Sequence, residues 1–545
     1  MNYKKGIMSG LLLTILFTGC MAKSDKMNDG NEENNAKIGI SDIYKANTNK
    51  TQEEALKEIK SNDNIAIVYD SDDRNINVGI DKSATQITLE NTNITLSDNS
   101  IGKIYDSTLT IQKPGTYVVS GTLKDGQIIV NSEVEGIVHL IFNDVSITSK
   151  KSAPLYVKNS TKTVITLNEG TNNYLIDSDT YEIDKEEEPN ATLYSKSNLS
   201  INGSGNLTVT ANFRDGIVSK ELKVIGSTIT IKAKENGIKG SDYVAVESGT
   251  VSVVAGGVGL LVPSSEDATL GYAVIDGGSI HIKAIDVGIN AGNIIKINNG
   301  DVTIKSRGMG LNALSHIYIY NGLLGIVSGK NGIQGEKSIN IVGGEIKIRT
   351  NDNTTTSYGN GMKAAHDINI LGGDTIIESL DNPIRSDQLV YIFDGTIQIQ
   401  SGDEVIDEDE LLSKNKEVIN TKKNTDKESQ NNTLNLNDTD DTFVINGGYL
   451  IATGGTEMKV FPSENASSQN TVIVIYEKEQ KANTLLYIED DEGNVIFTFE
   501  PNKDYQTLVV SSSLLKEGVI YNLYSDDKIV KSFKITSPVT QVIVD

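Results

Sequence analysis

Two residues beyond a glycine that recurs through the middle of this chain stand Lys239, Asn290, Asn312, Gln334, Lys363 and Arg385. Stacked on one another, such side chains form a polar stripe able to donate hydrogen bonds to sugar hydroxyls or uronate carboxylates. They can equally satisfy one another as an amide ladder. Beside the same corner lie Asp215, Glu235, Asp286 and Asp381, with Asp242 close by. Calcium takes several oxygen ligands, some of them charged, and Asp215 with Glu235 and Asp242 can supply them; carboxylates that simply face water are the plainer reading. His316, Tyr318 and Tyr320 alternate with Ile317 and Ile319 along one outward strand. Their rings can stack on the apolar faces of sugars, although tyrosine also favours strands for its own sake.

Bond-breaking chemistry finds less support. A glycoside hydrolase needs two positioned carboxylates, which a chain with 73 acidic residues offers everywhere and specifies nowhere. A lyase acting on pectic sugars needs an arginine base, and Arg214, Arg307, Arg349 and Arg385 sit in no motif that marks one. The four histidines (His139, His281, His316 and His366) are scattered, without an HExxH pair or a serine-hydrolase elbow. Asp70-Ser-Asp72 opens like an EF-hand loop but lacks its glycine and closing glutamate. No catalytic residue is expected.

Charge narrows the partners. With 49 basic residues against those acids, the formal net charge is −24, a field that repels nucleic acid and anionic lipid. No tryptophan is present to build a flat platform for crystalline cellulose. Cys20 is the single cysteine, so no intramolecular disulfide forms. It closes Leu16-Phe17-Thr18-Gly19-Cys20 after a short apolar run behind Lys4 and Lys5. That pattern resembles a bacterial lipoprotein signal, residues 1–20, with Phe17 departing from the usual aliphatic residue. The expectation is lipid attachment at Cys20, the extracellular face of the cell membrane as location, and no membrane contact except through that lipid.

The elements that must position these residues come from a repeat. Gly205, Ser227, Gly249, Gly278, Gly300, Gly322, Gly344, Gly373 and Gly395 fall in one phase, at steps of 22 residues, twice lengthened to 29. Each longer step is one period plus a seven-residue insertion, around Glu266–Tyr272 and around Thr354–Gly359. A second column runs in parallel as Gly-Ile or Gly-Leu at Gly216, Gly237, Gly259, Gly288, Gly310 and Gly332, then Gly361-Met362 and Pro383-Ile384. A fixed period of this size signals stacked coils. Within each coil apolar residues alternate with polar ones, as in Val302-Thr303-Ile304 and Ile346-Lys347-Ile348, so one strand face is buried. The prediction is an all-β protein, a right-handed parallel β-helix of about 22 residues per coil. Residues 211–402 form its regular part, and residues 85–210 its irregular early coils.

The flanks differ. Residues 21–84 read as a tether and an irregular N-terminal segment, with one short helix over Thr51–Lys60. Residues 403–441, charged and rich in asparagine, read as a disordered loop. One further coil is expected over 442–469. A small antiparallel β cap over 470–545 turns at Asp491–Asn494 and covers the end of the solenoid.

Several segments carry a family likeness: Gly115-Thr-Tyr-Val-Val-Ser-Gly-Thr-Leu, Ser152-Ala-Pro-Leu-Tyr-Val, Thr166-Leu-Asn-Glu-Gly-Thr-Asn, Asn202-Gly-Ser-Gly-Asn-Leu-Thr-Val and Asp215-Gly-Ile-Val-Ser-Lys. With them the chain resembles the clostridial-type carbohydrate-binding β-helix proteins, which are pectate-lyase-like in shape. The resemblance implies a monomeric binder of pectic or cellulosic polysaccharide, assisted by calcium, rather than a lyase. A calcium-dependent lyase or hydrolase and a surface adhesin are the alternatives.

Overall fold

The computed structural model describes residues 50–76, 84–182, 189–350, 359–380, 382–402, 442–456, 458 and 460–545. The leader with Cys20, Asp381, the second insertion up to residue 358 and the loop 403–441 lie outside the described residues.

From Thr85 onward the chain winds as a parallel β-helix, each regular coil contributing one long strand and two short ones. The long strands stack in one continuous ladder. It begins with Thr85–Asn91 against Gly115–Leu123 and runs through Thr228–Ala233, Thr250–Ala255, Ser279–Ala284, Asp301–Ser306, Leu323–Ser328 and Glu345–Thr350. It ends with Asp374–Ser379, Thr396–Ser401 and Tyr449–Gly454. A second ladder holds three-residue strands such as Ile289–Ala291 and Leu311–Ala313, and a third holds Ile295–Ile297 and Ile317–Ile319. One core runs the length of the stack, made of residues such as Ile282, Ile304, Ile326 and Ile348 in line. Their burial removes apolar surface from water at every coil, and that is what the repeat encodes.

Both glycine columns have steric causes. Gly278, Gly300, Gly322 and Gly344 turn the chain into the long strand at φ between 84° and 117°. A Cβ on Gly322 would lie 2.5 Å from the carbonyl oxygen of Gly300 one coil below. In the two earliest regular coils the left-handed residue is instead Gly203 and Gly226, ahead of Gly205 and Ser227. The second column has no positive φ. A Cβ on Gly310 would meet Ile326 Cγ2 of the next coil at 2.4 Å, so glycine stands there because a core isoleucine needs the space.

The ends and one flank are covered. Asn93–Leu96 folds antiparallel onto the first long strand. At the far end, Tyr505–Ser512 pairs antiparallel with Tyr449–Gly454 and with Thr471–Gln480. A four-stranded antiparallel sheet completes this cap, and the turn at Asp490–Asn494 is held by the Asp490 carboxylate. The cap is not purely antiparallel, since Thr471–Gln480 also pairs parallel with Val539–Val544.

The helix spans Gln52–Asn62, opened by a capping box between Thr51 and Glu54. It lays Ala55 and Ile59, one turn apart, on Tyr318, Leu371, Tyr391 and Phe393 of the third ladder. The chain then runs back along that flank. Asp63 meets Lys296 (2.8 Å), the Tyr69 hydroxyl donates to Asp276 (2.8 Å), and Asp73 ends in a pocket with Lys162 and Lys223.

Candidate functional site

The outward face of the long-strand ladder carries the cations. Along each of these strands the third and fifth residues past the column glycine point away from the core. The fifth positions read Lys232, Val254, Lys283, Lys305, Val327, Arg349 and Glu378, in direct register from coil to coil. The third positions read Thr230, Ser252, His281, Thr303, Gly325, Lys347 and Ile376 in the same register. Neighbouring members of a column are therefore about 4.8 Å apart. All of them except Lys232 line a groove of about 640 Å³ running across seven strands.

The groove is basic on a strongly acidic protein. Of its charged lining residues only Glu378 is a carboxylate. Glu378 is engaged by Arg349 Nε (2.7 Å) and receives a hydrogen bond from Asn502 Nδ2 (3.3 Å). Asn502 also donates its backbone N–H to Gln400 (2.9 Å), so the cap bounds this end of the groove. Lys347 meets Glu345 at 2.6 Å. Lys232 and Lys283 have no ion-pair partner among the described residues. His281 exchanges a hydrogen bond with Ser279 Oγ (2.9 Å). Asp301, Glu345 and Asp374 stand exposed at the strand entries, bordering the groove.

The expected polar stripe is a real column but lies on the second ladder. Lys239, Leu261, Asn290, Asn312, Gln334, Lys363 and Arg385 pair in sequence. Its amides are largely engaged within the protein. Asn312 Nδ2 donates to Asn290 Oδ1 (2.7 Å), and Gln334 accepts from Asn331 and donates to Glu336. Arg385 lies 3.7 Å from Asp387.

Two expectations need correction. Tyr318 is 1% exposed, because the helix covers its strand, so its ring is closed to a sugar. His316 on the same strand is half-buried and bonded to Ser338 Oγ (2.7 Å); burial, then the nearby Lys337 and His366, hold its imidazole down at about 4. Asp215 is 2% exposed, and its Oδ1 accepts from both the N–H and Nδ2 of Asn236 (3.0 and 2.9 Å). Burial raises the pKa of this carboxyl against those hydrogen bonds. It ties one coil to the next and does not face a ligand.

The other carboxylates expected to hold calcium are separate from it. Glu235 pairs with Arg214 (2.8 Å), Asp242 lies 3.6 Å from Lys220, and Asp286 is exposed. Among the described residues no three of His, Cys, Asp and Glu come together as a metal-binding group. Asp215, Glu235, Asp242 and Asp286 form no such group, and Asp381 lies outside the described residues.

The groove cations were missed although they are readable. Lys283, Lys305 and Arg349 each stand five residues after a column glycine, and Lys347 three after Gly344. Following the outward positions from coil to coil, instead of the corner, reveals them.

The fold and the groove together define a parallel β-helix with a row of cations along its long-strand ladder. The model of the family of carbohydrate-binding domain-containing proteins matches residues 105–315 and 310–409. A carbohydrate-binding domain-containing protein of Acetivibrio thermocellus is 38% identical over 207 residues, covering 37% of this chain and 72% of its own. The chain belongs to the family of carbohydrate-binding domain-containing proteins. A solved structure of the polysaccharide lyase-like protein from C. thermocellum, a gadolinium derivative, shares 38% identity. It covers 41% of this chain and 92% of its own, with a TM-score of 0.40.

Proposed function

We propose that the protein binds polysaccharide without cleaving it, laying the chain lengthwise in the groove from Thr230 to Glu378, and that Cys20 anchors it by lipid at the outer cell surface. The observation that carries the reading is the row of cations Lys283, Lys305, Lys347 and Arg349 on one groove of a protein with net charge −24. Family membership supports a carbohydrate as the ligand. The advance per ring of an extended pyranose chain is close to the spacing between coils, so successive rings would meet equivalent positions. Cation-rich lining favours pectic over cellulosic chains. The one carboxylate that lines the groove is already paired with Arg349, and Asp301, Glu345 and Asp374 stand in a single column at its border, whereas a glycosidase uses two that flank the scissile bond.

The test incubates the protein with polygalacturonate and with soluble cello-oligosaccharide, with and without calcium, recording both retention and unsaturated product. Retention without product is expected. Lys283→Ala combined with Lys305→Ala should weaken binding about tenfold, one exposed and one half-buried charge contact of under about 1 kcal/mol each. Lys363→Ala combined with Arg385→Ala, on the second ladder, should leave it unchanged. Loss with the second pair alone would move the site to the corner column, and product release would overturn the non-catalytic reading.

A further inference from the structure

Gly325 occupies the centre of a strand, where glycine is a poor choice. Nothing local demands it. Its φ lies outside the left-handed region, and a Cβ built there meets nothing within 4 Å. Every other third position from Thr230 to Gln398 on this ladder carries a side chain. The absence therefore leaves a dent at the middle of the groove. Thr303 lies beside it on one coil and Lys347 on the other, and Val327 is the next outward residue of its own strand. Lys305 and Arg349 flank Val327 in the neighbouring column.

From this arrangement, and resting on the reading above, we infer that Gly325 and Val327 form the seat for one sugar ring, whose carboxylate, with those of the rings beside it, Lys305, Lys347 and the nearby Lys283 take directly, without a bridging metal ion. An apolar floor between cations suits a ring that presents a C–H face below and a carboxylate at its rim. A calcium bridge needs carboxylates on the protein side; the one that lines the groove is already held by Arg349 and Asn502, Glu345 at its border is on Lys347, and among the described residues no three acidic or histidine side chains come together. The sequence-based expectation of calcium-assisted binding is thus replaced at this site by direct ion pairing, which salt screens.

The test uses the full chain and short oligogalacturonate, which avoids calcium-driven gelling, with cello-oligosaccharide of equal length as the neutral probe. Affinity is measured in EDTA, in calcium, and in low and high sodium chloride. Variants are Gly325→Tyr and the triple Lys283→Ala/Lys305→Ala/Lys347→Ala. Gly325→Tyr enters open space in a strand and should leave the melting temperature unchanged while weakening oligogalacturonate about tenfold. Binding should persist in EDTA, fall in high salt, and lose that salt dependence in the triple variant. Binding that requires calcium would overturn the inference and leave the groove reading standing. Equal binding of the neutral probe, insensitive to the lysines, would do the same. Binding that ignores both variants, or no binding of either probe, would sink the groove reading itself.

Discussion

Asp73 has no exposed surface, yet it is charged. Burial pushes its carboxyl up, but Lys162, Ser200 and Lys223 all donate to it and together hold it down at about 2. In the unfolded chain the group titrates near 4. Because the folded value is depressed, its contribution to stability is full above about pH 4 and disappears as pH falls through about 2. Asp73→Asn removes the charge and leaves Lys223 buried, 11% exposed, without its partner. Lys162 keeps Asp70 at 2.9 Å, so a cost of about 3 kcal/mol is expected, the low end for breaking a buried pair. Equilibrium denaturation at pH 7 measures it. The same experiment at pH 2 should show a much smaller gap between the variant and the parent protein, since the parent's Asp73 is then half-protonated.

At the scale of the element, three glycines of one coil, two at turns and one inside a strand, have different fates. Gly322→Ala forces a side chain into φ 102° and against the Gly300 carbonyl, a strain of about 1–3 kcal/mol before the clash is added. Gly310→Ala drives a methyl into Ile326 Cγ2 and displaces the core there. Gly325→Ala meets open space and should raise stability slightly, because alanine loses less chain entropy than glycine on folding. Thermal unfolding of the three variants should rank them with Gly325→Ala highest. The sequence displays all three as glycines. Period alone makes the first two legible, since they recur every 22 residues, and the stacking of parallel coils follows from that recurrence. Gly325 recurs nowhere and is visible only once the register assigns it to an outward column. The covered flank was hidden for a different reason. Tyr318 alternates correctly with Ile317 and Ile319, but its burial depends on a helix more than 250 residues earlier, capped by Thr51 and Glu54. Local alternation reports which face leaves the coil core and carries no information about what a distant segment lays over it. The corner column was likewise legible as a column, while the engagement of its amides with one another depends on side-chain geometry that spacing does not give.

For the whole molecule, the groove's cations work inside a field of the opposite sign. At about 0.01 M ionic strength charges act over roughly 30 Å, and at about 0.1 M over roughly 10 Å. An anionic polysaccharide approaching in dilute buffer therefore meets the repulsion of the net charge of −24, including Asp301, Glu345 and Asp374 along the groove edge. Raising the salt to about 0.1 M screens the distant carboxylates first, while ion pairs made in contact with Lys283 and Lys305 are weakened less. Beyond that, toward about 1 M where screening reaches roughly 3 Å, the contacts themselves fade. Affinity for oligogalacturonate should consequently pass through a maximum near 0.1 M salt, and a titration of affinity against sodium chloride at fixed pH measures it. A monotonic fall from the lowest salt would mean that the local cations dominate at every distance. A monotonic rise would mean that the acidic body governs the encounter and that contact with the groove lysines adds nothing.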